Sequence, residues 1–384
     1  MKFTGGVLAA VLTLTAAPGY RAADPDPPVP FSRIDAHVHV GPPAEAFLDM
    51  LERLDVRVLN VTIVDPLVPG FNTTEPQTGL AADISRRSRG RIAWASTFDP
   101  AGGEEPGFAE RTRRHLRSTF DRGAVAVKMY KSVGLLLQNL AGRYVLPDDD
   151  VFTPAYRLIA EHDRTLLTHL AEPRSSWYPL DPADPHAAYY RANPDWYMFN
   201  HPDRPSWESI LSARDRLLQA NPQLRVIGCH LGSMEHDVDM VARRLDRYPN
   251  FAVDTAARMS NLMLQPRDKV RAFMIRYQDR ILWGTDLLEL QWNRPGEVLR
   301  RWENSYAGDW KYLSTDAEFT VGGRTVRGLD LPLSVRKKIF RENALRWIPG
   351  LRGIASFETG SQPAGNAAAT ASEGSGAMEE RKKP

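Results

Sequence analysis

Five residues in this chain pair metal-ligating chemistry with a recurring position. His37 and His39 stand two apart in FSRIDAHVHV (31–40). His169 closes RTLLTHL (164–170) but for one residue, His230 does the same in LRVIGCHL (224–231), and Asp286 ends RILWGTD (280–286). Each lies at the carboxyl end of an apolar run rich in Val, Ile, Leu and Thr. Neutral imidazoles with one carboxylate are the ligands by which zinc and similar divalent ions are held with a position open for water. Residues i and i+2 of a strand point to the same face, so both imidazoles of the His-Val-His triplet face one side. Lys128, near the end of GAVAVKMY (123–130), occupies the same kind of position. The remaining histidines, His115, His162, His186, His201 and His236, fall in helical or loop segments.

The elements that must position these groups are legible as a repeat of apolar run and helical stretch. Besides the five runs already quoted, VRVLNVTIV (56–64), RIAWASTF (91–98) and NFAVDTA (250–256) complete eight strand candidates, several of them almost continuously apolar. Parallel strands buried on both faces have this composition. Between them lie helical patterns. Met234, Val238, Val241 and Leu245 fall at helical spacing, and Ser334 precedes a run over 335–347 that ends at Pro349-Gly350. Eight strands alternating with helices in about 320 residues indicate an α/β fold, a (β/α)8 TIM-type barrel, whose chemistry sits at the carboxyl ends of its strands. A doubly wound open sheet is the alternative, but the chain has neither GxGxxG nor a P-loop. Closure of the barrel makes the eighth strand a neighbour of the first, which brings Asp286 towards His37 and His39.

Two connections exceed what packing requires. About 35 residues after the fifth strand hold Trp177, Tyr178, Tyr189, Tyr190, Trp196, Tyr197 and Phe199. Long loops in compact domains are usually functional or disordered, and this aromatic content argues for a lid or pocket wall, against the alternative of a satellite apolar cluster. The Trp-rich segment after the eighth strand is expected to form another wall. Arg258, Arg174 and Trp177 are the substrate-binding candidates on the same mouth. For Arg258 the competing reading is an ion pair with Asp254 or Glu172. Cys229 reads as a small buried residue, and no GxSxG serine elbow is present.

In this order IDAHVHVG, LLTHLAEP, VIGCHLGS and ILWGTD resemble the amidohydrolase superfamily, specifically its amidohydrolase-related (amidohydrolase 2) branch, and ENALRWIPG resembles that branch's closing helix. The resemblance covers about residues 31–350. It implies a mono- or binuclear divalent-metal site, expected to hold one or two Zn2+ ions. It implies His37, His39, His169 and Asp286 as ligands of the deeper metal. His230 is then either an acid/base and carbonyl-polarising group or a ligand of a second ion. Lys128 is either a carbamylated bridge between two ions or an ammonium facing a substrate carboxylate. The expected activity is hydrolysis of an amide, ester or lactone by metal-activated water, with Asp286 and His230 as the catalytic groups. The alternatives are a metal-dependent carboxy-lyase or hydratase acting on a carboxylate, and a non-catalytic exported barrel that binds a ligand.

Composition narrows the setting. Of 384 residues, 49 are Lys or Arg and 47 are Asp or Glu, so no basic excess points to nucleic acid and the expected partner is a small molecule. A homo-oligomer is compatible with this surface. The single cysteine excludes an intramolecular disulfide and a Cys-based zinc site. Lys2 followed by the apolar run 7–17 reads as a signal peptide over 1–23, too short to span a bilayer comfortably. Export to the periplasm or medium is therefore expected, with no membrane insertion of the mature protein. A Pro-rich linker follows at 24–30, the barrel occupies 31–354, and the Gly-, Ala- and Ser-rich stretch 355–384 is expected to be a disordered tail.

Overall fold

A computed structural model of the protein describes residues 29–67, 71–321 and 323–359. The expected leader, most of the linker and residues 360–384 lie outside the described residues. Among the described residues there are eleven strands: β1 (Arg33–Val40), β2 (Val56–Val61), β3 (Ile92–Thr97), β4 (Ala126–Met129), β5 (Thr165–Thr168), β6 (Arg225–Gly228), β7 (Phe251–Asp254), β8 (Ile281–Leu282), β9 (Leu287–Glu289), β10 (Glu318–Val321) and β11 (Arg324–Arg327). The first nine form one sheet in the order β8-β7-β6-β5-β4-β3-β2-β1-β9, and every pairing in it is parallel.

β8 and β9 are two pieces of the eighth strand. β8 pairs with β7 and β9 pairs with β1. Between them Ala36 N donates to Trp283 O and Asp286 N donates to His37 O, at 3.0 and 2.8 Å. The run 281–289 therefore bridges the two edges of the sheet and closes a TIM-type barrel. The expected eighth strand is interrupted where Asp286 takes a left-handed conformation, with φ +62°.

The barrel interior is filled by small and branched residues, among them Ala36, Leu59, Ala95, Ala126, Ile227, Cys229 and Ala252. Trp347, Ile348, Leu351 and Phe357 join this cluster. Phe357 belongs to helix Ala355–Thr359, and the Arg341 guanidinium donates to Phe357 O at 2.8 Å. The ordered chain thus runs past 354, because one aromatic residue in an otherwise polar tail finds a place in the core. The run expected over 335–347 is helical but contains a π turn at Lys338–Glu342.

The connection after β5 is ordered by its own contacts. Ser176 Oγ donates to Trp196 O at 3.1 Å and accepts from Met198 N at 2.9 Å. In the segment after β9, helix Pro295–Ser314 turns Trp302 and Trp310 into the core while Arg301, Ser305 and Asp309 line a cavity. The wall expected there exists, but its polar face forms it and its tryptophans do not. The antiparallel hairpin β10–β11 follows. No helix among the described residues is long and apolar enough to cross a membrane.

Candidate metal centre and cavity

His37 and His39 lie near the carboxyl end of β1, where the register to β2 shifts between Asp35 and Val38. The Asn60 side chain bridges that shift, accepting from Val40 N at 2.9 Å and donating to Val40 O at 3.0 Å. Each imidazole is aimed by the nitrogen facing away from the cavity. His37 Nδ1 donates to Asp254 Oδ2 at 2.9 Å, and His39 Nδ1 donates to Val61 O at 2.7 Å. A proton fixed on Nδ1 leaves a lone pair on Nε2. Both Nε2 atoms then converge on Asp286 Oδ1, at 3.5 Å from His37 and 3.2 Å from His39.

Burial, and after it the charge of Lys128, holds His37 below the ordinary imidazole value. Burial followed by Lys131 and Lys128 does so for His169, and burial followed by His169 and Arg258 for His230. These three rings are neutral at pH 7, the form in which imidazole binds metals. Burial alone would raise the Asp286 carboxyl, but its neighbours His39, His37 and Lys128 outweigh burial and hold Asp286 below the usual carboxylate range.

His169 follows β5 directly, and its N donates to Met129 O at 3.0 Å. Its Nε2 is buried without a hydrogen-bond partner, a costly state for a polar atom unless something else occupies its lone pair. Its ring lies 4.2 Å from that of His230, which lies 5.1 Å from that of His37. These residues fit a divalent ion. Donors at 2.0–2.1 Å from a tetrahedral ion stand about 3.3 Å apart, the spacing found between Asp286 and the two β1 histidines. His37, His39 and Asp286 could hold it, with His169 as the further ligand. The alternative trio of His37, His230 and Asp254 is less suited. Asp254 already accepts from His37 Nδ1, from His230 N at 2.7 Å and from Ala256 N at 3.2 Å.

His230 is placed differently from the strand-end position expected. β6 stops at Gly228, and His230, Leu231, Gly232 and Ser233 form a left-handed turn with φ between +54° and +63°. Such a turn costs roughly 1–2 kcal/mol per non-glycine residue and persists only where the surroundings enforce it. Here Asp254 holds His230 N, Arg214 donates to Gly232 O at 2.7 Å, and Trp207 Nε1 donates to Ser233 O at 3.0 Å. His230 Nδ1 donates to Ala256 O at 2.9 Å, so its Nε2 carries a lone pair and cannot polarise a carbonyl by donation.

Lys128 is buried in β4, with Nζ 3.0 Å from Cys229 Sγ and 3.3 Å from His37 Nε2. No carboxylate oxygen lies within 4.0 Å of it among the described residues. Of the three substrate-binding candidates, only Arg258 lines the cavity, and its ion-pair partner is Glu235 at 3.5 Å, neither Asp254 nor Glu172. Both members are buried, and neither Arg258 Nε nor Glu235 Oε2 has a directed hydrogen bond. Arg174 turns instead to Glu208 at 3.6 Å and stacks on Tyr178 and Trp207. Trp177 Nε1 donates to Pro205 O at 3.3 Å. Neither reaches the cavity.

The cavity measures about 710 Å3 and contains His37, His39, Lys128, His169, His230 and Asp286 in its lining. The long connection supplies His186, Tyr189 and Trp196 to its wall, as a pocket-wall role requires. Lys131, which the sequence did not single out, is buried on this wall. It bonds to Glu172, donates to Tyr189 OH at 2.8 Å and lies 4.0 Å over the Trp196 ring.

A family model for amidohydrolases matches residues 34–349. The chain belongs to the amidohydrolase family. No curated protein matches the sequence. Among solved structures, 2,6-dihydroxybenzoate decarboxylase from Rhizobium superposes with a TM-score of 0.51 at 15% identity, over 83% of this chain and 99% of that one. 4-Oxalomesaconate hydratase from Rhodopseudomonas palustris gives 0.48 at 11% identity, over 84% and 98%. At such identities the likeness of this amidohydrolase to the Rhizobium enzyme is one of fold. The barrel is the fold expected from the sequence.

Proposed function

We propose that this amidohydrolase is a metal-dependent hydrolase acting on an amide, ester or lactone, with Asp286 as its proton-transfer group. The observation that carries this reading is the convergence of His37 Nε2, His39 Nε2 and Asp286 Oδ1 in the lining of one cavity. A divalent ion held there, for which Zn2+ suits the nitrogen and oxygen donors, supplies Lewis acidity that lowers the pKa of water from 15.7 to roughly 7. Asp286 stays ionised across the neutral range and accepts the proton of the attacking water, then returns it to the leaving group. His230, with its lone pair towards the cavity, and a carbamylated Lys128 would help to hold a second ion.

A second reading rests on Lys128 itself. As an ammonium beside His37, with no carboxylate within 4.0 Å among the described residues, it suits a substrate carboxylate, and the enzyme is then a carboxy-lyase with one metal.

Activity on ester, lactone and carboxylate panels, with metal counted per chain and carbon dioxide followed, separates the two. Hydrolysis with two ions supports the first reading. Carbon dioxide release with one ion supports the second. Asp286→Asn is expected to lose roughly 10²–10⁴-fold in turnover while retaining metal. Full turnover after thorough chelation would sink both.

A further inference from the structure

The cavity changes character away from the histidines. Ile63 and Phe71 from the loop after β2, Leu80 from helix Glu75–Arg87, Met263 and Leu264 at the end of helix Met259–Met263, and Val321 in β10 line its outer part. Leu80 and Leu264 are 43% and 44% exposed. A single exposed leucine is ordinary. Apolar side chains from four separate segments around one opening, continuous with a buried polar end, are the arrangement of a ligand pocket. Apart from Lys128 beside His37, three cations of the lining are matched. Lys131 is paired with Glu172, Arg258 with Glu235, and Arg301 with Glu289 at 3.3 Å. Arg324 also lines the cavity but is exposed on the hairpin, where water and salt screen its charge.

We infer that the substrate is an uncharged acyl compound whose apolar chain or ring lies along this outer wall while its reacting group meets His37, His39 and Asp286. The inference rests on the hydrolase reading and adds the substrate class to it. An ionised tail would meet cations already paired and a hydrocarbon wall, and would lose its hydration without a partner. An alkyl tail gains about fourfold in affinity for each methylene it buries.

The test uses the metal-loaded full chain with the p-nitrophenyl esters of acetate, butyrate, hexanoate and octanoate. KM is expected to fall about fourfold per methylene from acetate to hexanoate. Leu264→Asp and Leu80→Asp, both at exposed positions where folding tolerates the change, are expected to flatten that dependence. A KM independent of chain length in the wild type, or a dependence unchanged in both variants, overturns the inference. So does a wild-type dimer that both variants dissociate, because the apolar wall is then a subunit interface. If none of the esters is turned over, the hydrolase reading falls on its own. Calorimetric binding of butyramide, hexanamide and octanamide then decides on the wall. Affinity rising with length supports it, and equal affinities overturn it.

Discussion

Asp254→Asn isolates the part played by a residue that touches no substrate. The Asp254 carboxylate accepts His37 Nδ1–H on one oxygen and two backbone amides, those of His230 and Ala256, on the other. Asparagine can keep its oxygen on the two amides, which then forces its NH2 against His37 Nδ1. Two donors cannot share that contact, so the imidazole must move its proton to Nε2. The nitrogen that faces Asp286 and the cavity thereby changes from lone-pair donor to N–H. Loss of such a partner behind a metal-binding histidine typically costs 10–100-fold in affinity, about 1.4–2.7 kcal/mol. A metal titration against a chromophoric chelator measures this directly, and the melting temperature of the metal-free protein serves as control. The expected result is affinity lowered within that range while the metal-free melting temperature moves much less than the metal-bound one. Wild-type affinity in Asp254→Asn would refute the argument that this carboxylate sets the His37 tautomer.

Two further perturbations probe buried charge away from the candidate metal ligands. Arg258→Met leaves Glu235 buried and uncompensated and is expected to cost about 3–5 kcal/mol in denaturant unfolding. Arg258→Met combined with Glu235→Met should recover much of that loss, and simple additivity of the two single variants would contradict it. Asp309 accepts from Trp283 Nε1 at 2.8 Å, and burial pushes its carboxyl up to about 7. Its folded pKa lies above the unfolded one. The folded chain therefore binds a proton that the unfolded chain has lost between about pH 4 and 7, and stability declines as pH rises through that window. Asp309→Asn keeps an acceptor for Trp283 without the charge. Its melting temperature relative to wild type should climb from pH 5 to pH 8, and a constant difference would argue against a raised carboxyl.

The barrel and the histidines were legible for the same reason. Strands buried on both faces read as apolar runs, so a polar residue at the end of one stands out, and a period of two puts His37 and His39 on one side. What stayed hidden has no such contrast. Nothing in Cys229-His230-Leu231 signals a left-handed turn, because neither His230 nor Leu231 is glycine and the conformation is imposed by Asp254, Arg214 and Trp207 from other elements. The Arg258–Glu235 and Lys131–Glu172 pairs join residues 23 and 41 positions apart, with no periodicity to connect them. Arg174 and Trp177 looked equivalent to their neighbours in composition, and only the path of the chain turns them away from the cavity. The β10–β11 hairpin did carry a signal, the Gly322-Gly323 pair between EFTV and RTVR, of the kind that marks a two-residue turn.

The break between β8 and β9 links closure of the barrel to the aim of its carboxylate. An unbroken eighth strand would continue its ladder past residue 282. Instead Asp35 accepts Thr285 N at 3.0 Å and Thr285 Oγ1 at 2.6 Å, and its first oxygen also accepts His37 N at 3.2 Å. One buried side chain on β1 therefore fixes both the backbone of His37 and the residue before Asp286. Asp254 fixes the ring of His37 from the other side. Two carboxylates that face away from the cavity thus determine where His37 and Asp286 meet. Rigid placement of this kind is what a metal site needs, since its donors must stand within a few tenths of an ångström of the required spacing before any ion arrives.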